Sequence, residues 1–255
     1  MNTDWRIKTD ACLLIFDPHQ DKHWVESILS KERGQISHVL LGGDYFDAYD
    51  YQRRVPIGQM AAYLLELEER FGKRLTLLLG NHDIPYAEAE RWSREGVVPR
   101  FLQHNCPGWE HEKSVAVAAH LDAAFWRRCR LFQWVNGFVI SHAGVASRLL
   151  TDLGSPDAQL ASLNEVCALA PDYHYHQRMG ILACGQGRGG DCKGGGLTWQ
   201  DWDSEFTDDL FYPQIVGHTV SREGARQKGR SWCLDGGKTC YGILWRSGEL
   251  QVKNL

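Results

Sequence analysis

The chain has 255 residues, 43% of them hydrophobic, enough to bury one sizeable core, and a single domain over 1–255 is the expectation. A formal net charge of −4 gives no electrostatic case for a nucleic acid or a membrane surface as partner. Eight cysteines without a CxxC pair exclude the pattern of a disulfide framework and read as small buried residues or free thiols.

The N-terminal apolar run "ACLLIF" (11–16) is too short for a signal-peptide core or a membrane span, which points to the cytoplasm. It reads instead as a buried strand ending at Asp17 and Pro18. "DKHWVESILSKER" then places Trp24, Val25, Ile28 and Leu29 at helical spacing. "ISHVLLG" (36–42) is a second buried strand, closed by Gly42 and Gly43. A long helix fits "PIGQMAAYLLELEERF", with proline at its start and Ile57, Met60, Ala61, Leu64, Leu65 and Phe71 on one face. "RLTLLL" (74–79) is the third strand, and this alternation predicts a parallel sheet covered by helices.

Further along, "HLDAAFWRRCR" suits a helix and "FVISH" (138–142) a strand. Two more helices are expected between Ser155 and Leu182. "CGQGRGGDCKGGG" is too rich in glycine to be anything but a loop; Cys184 and Cys192 flank it and read as free thiols, with a redox or metal role as the lesser alternative. The tail returns to strands in "QIVGH", "SWCLD", "TCYGILW" and "ELQVK". A β-rich end on an α/β start predicts a β-sandwich of two mixed sheets flanked by helices.

Five of these strands end in residues that suit metal binding or acid–base work: Asp17-Pro18-His19, Gly43-Asp44-Tyr45-Phe46-Asp47, Gly80-Asn81-His82-Asp83, His142 and His218. Loops beyond the carboxyl ends of strands are where α/β sheets build their sites. One such residue is usually a cap or a turn former; five of one kind are a constellation. The donors are oxygen and imidazole nitrogen, suited to Mn²⁺, Fe or Zn²⁺.

The ordered set "DPH", "GDYFD", "GNHD", "HAG" and "GHT" resembles the metallo-dependent, or calcineurin-like, phosphoesterase superfamily from Asp17 to His218. The resemblance implies two divalent ions, with Mn²⁺ the leading expectation. Asp17, His19 and Asp44 would hold one, and Asp44, Asn81, His142 and His218 the other, with Asp44 as the bridge. It implies that His82 protonates the leaving group with Asp47 as its partner, while Asp83 belongs to the supporting loop. The implied reaction is in-line attack of a metal-bound hydroxide on a phosphate monoester, phosphoserine and phosphothreonine included. The substrate would be a phosphorylated small molecule or phosphoprotein. Alternatives are a dinucleoside polyphosphate or other nucleotide hydrolase, a nucleic-acid phosphodiesterase and a non-catalytic scaffold.

Within the superfamily, "GDYFD" and "SHAG" lean toward the branch holding the serine/threonine protein phosphatases and the bacterial diadenosine tetraphosphatases. Val220 stands where many members carry a second histidine, and Ala48 where the protein phosphatases have arginine. A replacement phosphate clamp is sought among Arg188, Arg53 and Arg54. Trp199 and Trp202 read as core or lid residues, and His174 and His176 as surface residues outside the set.

Overall fold

The computed structural model describes residues 5–49, 54–94, 106–168 and 180–255. Its strands are β1 (Arg6–Ile7), β2 (Ala11–Ile15), β3 (His38–Leu41), β4 (Leu75–Leu77), β5 (Phe132–Val135), β6 (Phe138–Ser141), β7 (Gln214–Val216), β8 (Arg226–Lys228), β9 (Ser231–Cys233), β10 (Cys240–Trp245) and β11 (Leu250–Asn254). They form two mixed sheets, ordered β11-β10-β2-β3-β4 and β1-β5-β6-β7-β9-β8.

Side chains alternate across a strand, and that period sorts the core. Cys12, Leu14 and Leu40 from the first sheet meet Val135, Ile140 and Ile215 from the second. Leu13, Ile15, Val39 and Leu41 point the other way, into the cluster that contains the helices. A strand buried on both faces must be apolar throughout, which is why β2 reads as an unbroken run.

Six helices are described: α1 (Lys22–Glu32), α2 (Ile57–Phe71), α3 (Ile84–Arg94), α4 (His111–Ala118), α5 (Ala123–Arg128) and α6 (Pro156–Ala168). Asp21 caps α1 by accepting from the Trp24 N–H at 2.9 Å. In α2 the buried face is Met60, Ala61, Tyr63, Leu64 and Leu67. Leu65, Ile57 and Phe71, expected on that face, lie only at its margin. Tyr63 is buried because its hydroxyl has a partner, Glu26, at 2.6 Å.

The expected third strand begins one residue late, at Leu75, because Gly72–Arg74 forms a 3₁₀ turn, and it ends at Leu77, beyond which Leu78 makes an isolated bridge to Arg130. Of the two helices expected between Ser155 and Leu182, α6 is one; the other, with His174 and His176, lies outside the described residues. Trp202 is core, stacked on Phe206. No helix among the described residues is long and apolar enough to cross a membrane.

The topology brings loops together. Strands β2, β3 and β4 are mutually parallel, so their carboxyl ends open on one edge. In the other sheet β6 and β7 are parallel to each other. Strand β10 runs antiparallel to β2, with Gly242 opposite Leu14, so the turn before β10 joins the same edge.

Candidate metal centre

The loops at this edge are built from unusual backbone. Among the described residues, eight non-glycine positions have positive φ, and five of them are Asp17, His19, Asp44, Asp47 and His218. A left-handed conformation is costly for a residue with a Cβ, and such strain concentrates at functional sites. Two motif glycines are fixed by close approach. A Cβ on Gly80 would lie 2.1 Å from Asp44 Oδ1, and one on Gly217 would lie 2.2 Å from Asp17 Oδ2.

Asp83 ties two loops together. It is fully buried, with Oδ2 accepting from the backbone N–H groups of Asp44 at 2.7 Å and Gly80 at 2.8 Å. Its Oδ1 accepts from Tyr45 N–H at 2.8 Å. Asp83 therefore positions the Asp44 and Asn81 loops, as a supporting rather than a coordinating residue.

The histidine rings are aimed by carbonyls. His142 Nδ1 lies 2.8 Å from Gly42 O, and His19 Nδ1 lies 2.7 Å from Phe46 O. A carbonyl only accepts, so each Nδ1 carries its proton and each Nε2 turns to the cluster. His142 Nε2 is 3.4 Å from Asp44 Oδ2, 3.0 Å from Asn81 Oδ1 and 3.2 Å from His218 Nδ1. His19 Nε2 is 3.7 Å from the same Asp44 oxygen. Asp17 reaches in from the side, its Oδ2 accepting from the His218 N–H at 3.0 Å. Two donor groups result, Asp17 with His19 and Asp44, and Asp44 with His142 and His218, and each has its ligand atoms within 4.8 Å of one another. Asp44 belongs to both.

The electrostatics call for positive charge here. Burial, then Asp235, raise the Asp17 carboxyl well above the usual range. Burial works against the charged form of His142, yet Asp44 and Asp17 outweigh it and push the ring up to about 9. Burial, His142 and Arg188 hold His218 well below its ordinary value, and its Nε2 is buried without a hydrogen-bond partner. Converging buried carboxylates, an amide oxygen and imidazole nitrogens, which coordinate once deprotonated, fit divalent cations of intermediate hardness. Carbonyl contacts like those to His19 and His142 are what orients an imidazole toward a metal.

A second pair adjoins the first. His82 N–H donates to Asp44 Oδ1 at 2.9 Å, and His82 Nδ1 lies 3.1 Å from Asp47 Oδ2. Both side chains are buried. Burial alone would lower the imidazole, but Asp44 and the Asp47 hydrogen bond outweigh it and raise His82 well above its ordinary value. These two neighbours favour the charged form of the buried imidazole.

With that geometry in place, the comparison with known families is decisive. The sequence profile of the calcineurin-like phosphoesterases matches residues 17–232, from Asp17 to beyond His218. The chain belongs to this family. As a calcineurin-like phosphoesterase it is a metal-dependent hydrolase that acts on phosphoester bonds of phosphorylated substrates. Its fold is shared by a cold-active protein-tyrosine phosphatase from the psychrophile Shewanella sp., at TM-score 0.61 and 15% identity, covering 97% of this chain and 81% of that one. A protein serine/threonine phosphatase from Saccharomyces cerevisiae aligns at TM-score 0.51 and 13% identity, covering 97% and 80%. No curated protein sequence matches the chain.

The arginine candidates separate. Arg188 lies beside His218: its Nη2 donates to Thr219 Oγ1 at 2.7 Å, and its Nε lies 3.0 Å from Asp201 Oδ2. Arg54 is exposed at the approach to α2, and Arg53 lies outside the described residues. Trp199 meets His218 edge-on, with ring centroids 5.6 Å apart.

Sequence reasoning missed four residues beside the cluster. Tyr49 places its hydroxyl 3.0 Å from His82 Nε2 and its ring edge-on to His19. Tyr86 donates to Asp47 Oδ1 at 2.6 Å. Cys106 brings Sγ to 3.3 Å from His82 Nδ1. Lys238, on the turn before β10, sits 3.8 Å from Asp21 and helps depress His19, whose burial takes it to about 4. Only the tyrosine two residues after Asp47 carried a signal, its nearness to a motif.

Proposed function

We propose that the chain hydrolyses phosphate monoesters with two divalent cations, Mn²⁺ foremost. The observation that carries this reading is the Asp44 carboxylate: one oxygen faces His142 and His19, the other takes the His82 N–H. Asp17, His19 and Asp44 would hold one ion; Asp44, Asn81, His142 and His218 the other. The ions would polarise the phosphoryl group and activate the attacking water.

The remaining chemistry belongs to the chain. His82 gives its Nε2 proton to the departing oxygen. Asp47 accepts from Nδ1, which orients the ring and stabilises the imidazolium. Tyr86 keeps the Asp47 carboxylate in place. Arg188 supplies charge for the phosphoryl oxygens, in the part that Ala48 cannot play. Tyr49 rests where a leaving oxygen must sit to receive the His82 proton, so a phenolic oxygen fits there as well as an alkoxide. The tyrosine- and serine/threonine-directed names of the two structural neighbours agree with a monoester substrate.

A substrate panel with Mn²⁺-loaded protein tests this. It contains phosphoserine, phosphothreonine and phosphotyrosine peptides, p-nitrophenyl phosphate, its bis ester, dinucleoside polyphosphates and single-stranded nucleic acid. Monoesters should turn over and chelator should abolish that turnover. Preference for a diester or a pyrophosphate link would overturn the reading.

A further inference from the structure

Asp47, His82 and Cys106 bring a carboxylate oxygen, an imidazole nitrogen and a thiol sulfur to one point, and all three are buried. Their set shares no residue with the two donor groups around Asp44. We propose that these three residues form an inhibitory site for a thiophilic divalent cation such as Zn²⁺.

The distances suit it. Tetrahedral zinc with ordinary bond lengths sets its nitrogen and oxygen ligands about 3.3 Å apart, and its sulfur about 3.5 Å from each. Here Nδ1 to Oδ2 is 3.1 Å, Sγ to Nδ1 is 3.3 Å and Sγ to Oδ2 is 3.8 Å. Each edge is within about 0.3 Å of the zinc value. Asp47 is divided for the purpose. Its Oδ1 is taken by Tyr86 at 2.6 Å and Lys113 at 3.5 Å, which leaves Oδ2 facing the sulfur and the ring. The same geometry excludes a cysteine-nucleophile triad. Such a triad spans the imidazole, with thiol and carboxylate on different ring nitrogens. Here both contact Nδ1.

Binding replaces two protons with one cation. The thiol loses its proton to solvent and becomes a thiolate ligand. The Nδ1 proton that Asp47 shares also leaves, because that nitrogen must present a lone pair. Burial raises the Cys106 thiol, so the cation competes with a firmly held proton. With Nδ1 and Asp47 Oδ2 both taken by the cation, the hydrogen bond that orients the ring is lost, and Nε2 no longer serves as the acid. This inhibitory consequence rests on the role proposed for His82; formation of the site does not.

The test titrates Mn²⁺-loaded protein with Cd²⁺, a thiophilic ion whose bond to sulfur absorbs in the ultraviolet. Hydrolysis of an alkyl phosphate that the wild type accepts is followed in parallel. One equivalent should raise the sulfur-to-metal band, and activity should fall with it. Cys106→Ser should lose the band, and its half-inhibitory Cd²⁺ concentration should rise by about 10- to 100-fold. Asp47→Asn, a second variant of conserved shape, should keep a band of lower affinity. No band in the wild type, or an unchanged band in Cys106→Ser, would overturn the site. A band lost in Cys106→Ser, with alkyl phosphate hydrolysis unaffected by Cd²⁺ in the wild type, would uphold the site and remove His82 from the acid role.

Discussion

The backbone N–H of His82 donates to Asp44 Oδ1 at 2.9 Å, so the acid candidate hangs from the carboxylate common to both donor groups. Proton chemistry and metal binding are thereby held in one register. A substitution at Asp44 should disturb both, whereas one at His82 should disturb only the first.

On the proposed two-metal reading Asp44→Ala would remove a ligand from both ions, and it leaves the His82 N–H without its acceptor. Bound metal should fall from about two ions per chain toward none, and turnover should fall with it. Metal analysis after gel filtration checks this. Full metal content in the variant would refute the bridge.

His82→Ala should keep its metal and discriminate between leaving groups. An alkoxide needs a proton as the bond breaks; p-nitrophenolate needs little help. Loss on an alkyl phosphate should be about 10²–10⁴-fold and much smaller on p-nitrophenyl phosphate. If His82 is the acid, its protonated form is the active one, so the alkyl rate should fall as pH rises through the raised His82 value. That limb should be missing from the variant. Equal loss on both substrates would make His82 a phosphoryl-binding residue.

Arg188→Ala should leave metal content unchanged, lower kcat/KM and weaken inhibition by inorganic phosphate. The guanidinium reaches Thr219 and Asp201 from a 3₁₀ turn of the glycine-rich loop, so the sheet loops should keep their arrangement without it. Wild-type kinetics would return Arg188 to a purely structural role.

Tyr49→Phe removes the hydroxyl that substrate must displace from His82 Nε2. One hydrogen bond lost from the free enzyme should lower KM by between about twofold and tenfold, with kcat held. Steady-state kinetics on phosphotyrosine peptide measures it. A higher KM would show that the hydroxyl contacts the substrate.

Far from the site, Glu32 accepts from Tyr241 at 2.6 Å and Lys253 at 2.8 Å. Burial pushes its carboxyl up, but these hydrogen bonds outweigh it and hold Glu32 below its ordinary value. A depressed folded value stabilises above the unfolded one and ceases to do so as pH falls through the folded one. Glu32→Gln should cost about 1.5–3 kcal/mol at neutral pH, and the difference should shrink in acid. Urea unfolding at the two pH values reads it. An unchanged gap in acid would contradict the ionised pair.

The buried parallel strands were legible because burial on both faces leaves an unbroken apolar run, as in "ACLLIF". The residues that follow each run announced the site, since Asp, Asn and His there have no packing reason to cluster. Other elements carried no such signal. Strand β1 has two residues, and β8, Arg226–Lys228, is a polar edge strand. Helix α3 begins directly after the Asn81-His82-Asp83 turn, where motif and helix start overlap. Cys106 and Lys238 reach the site through tertiary packing, so neither period nor spacing marks them.

Anomalous diffraction from crystals of the Mn²⁺-loaded protein tests the central claim most directly. Two peaks should lie about 3.5–4 Å apart with the Asp44 carboxylate between them. One should adjoin Asp17 and His19, the other Asn81, His142 and His218. A single peak, or two peaks without Asp44 between them, would contradict the two-metal account.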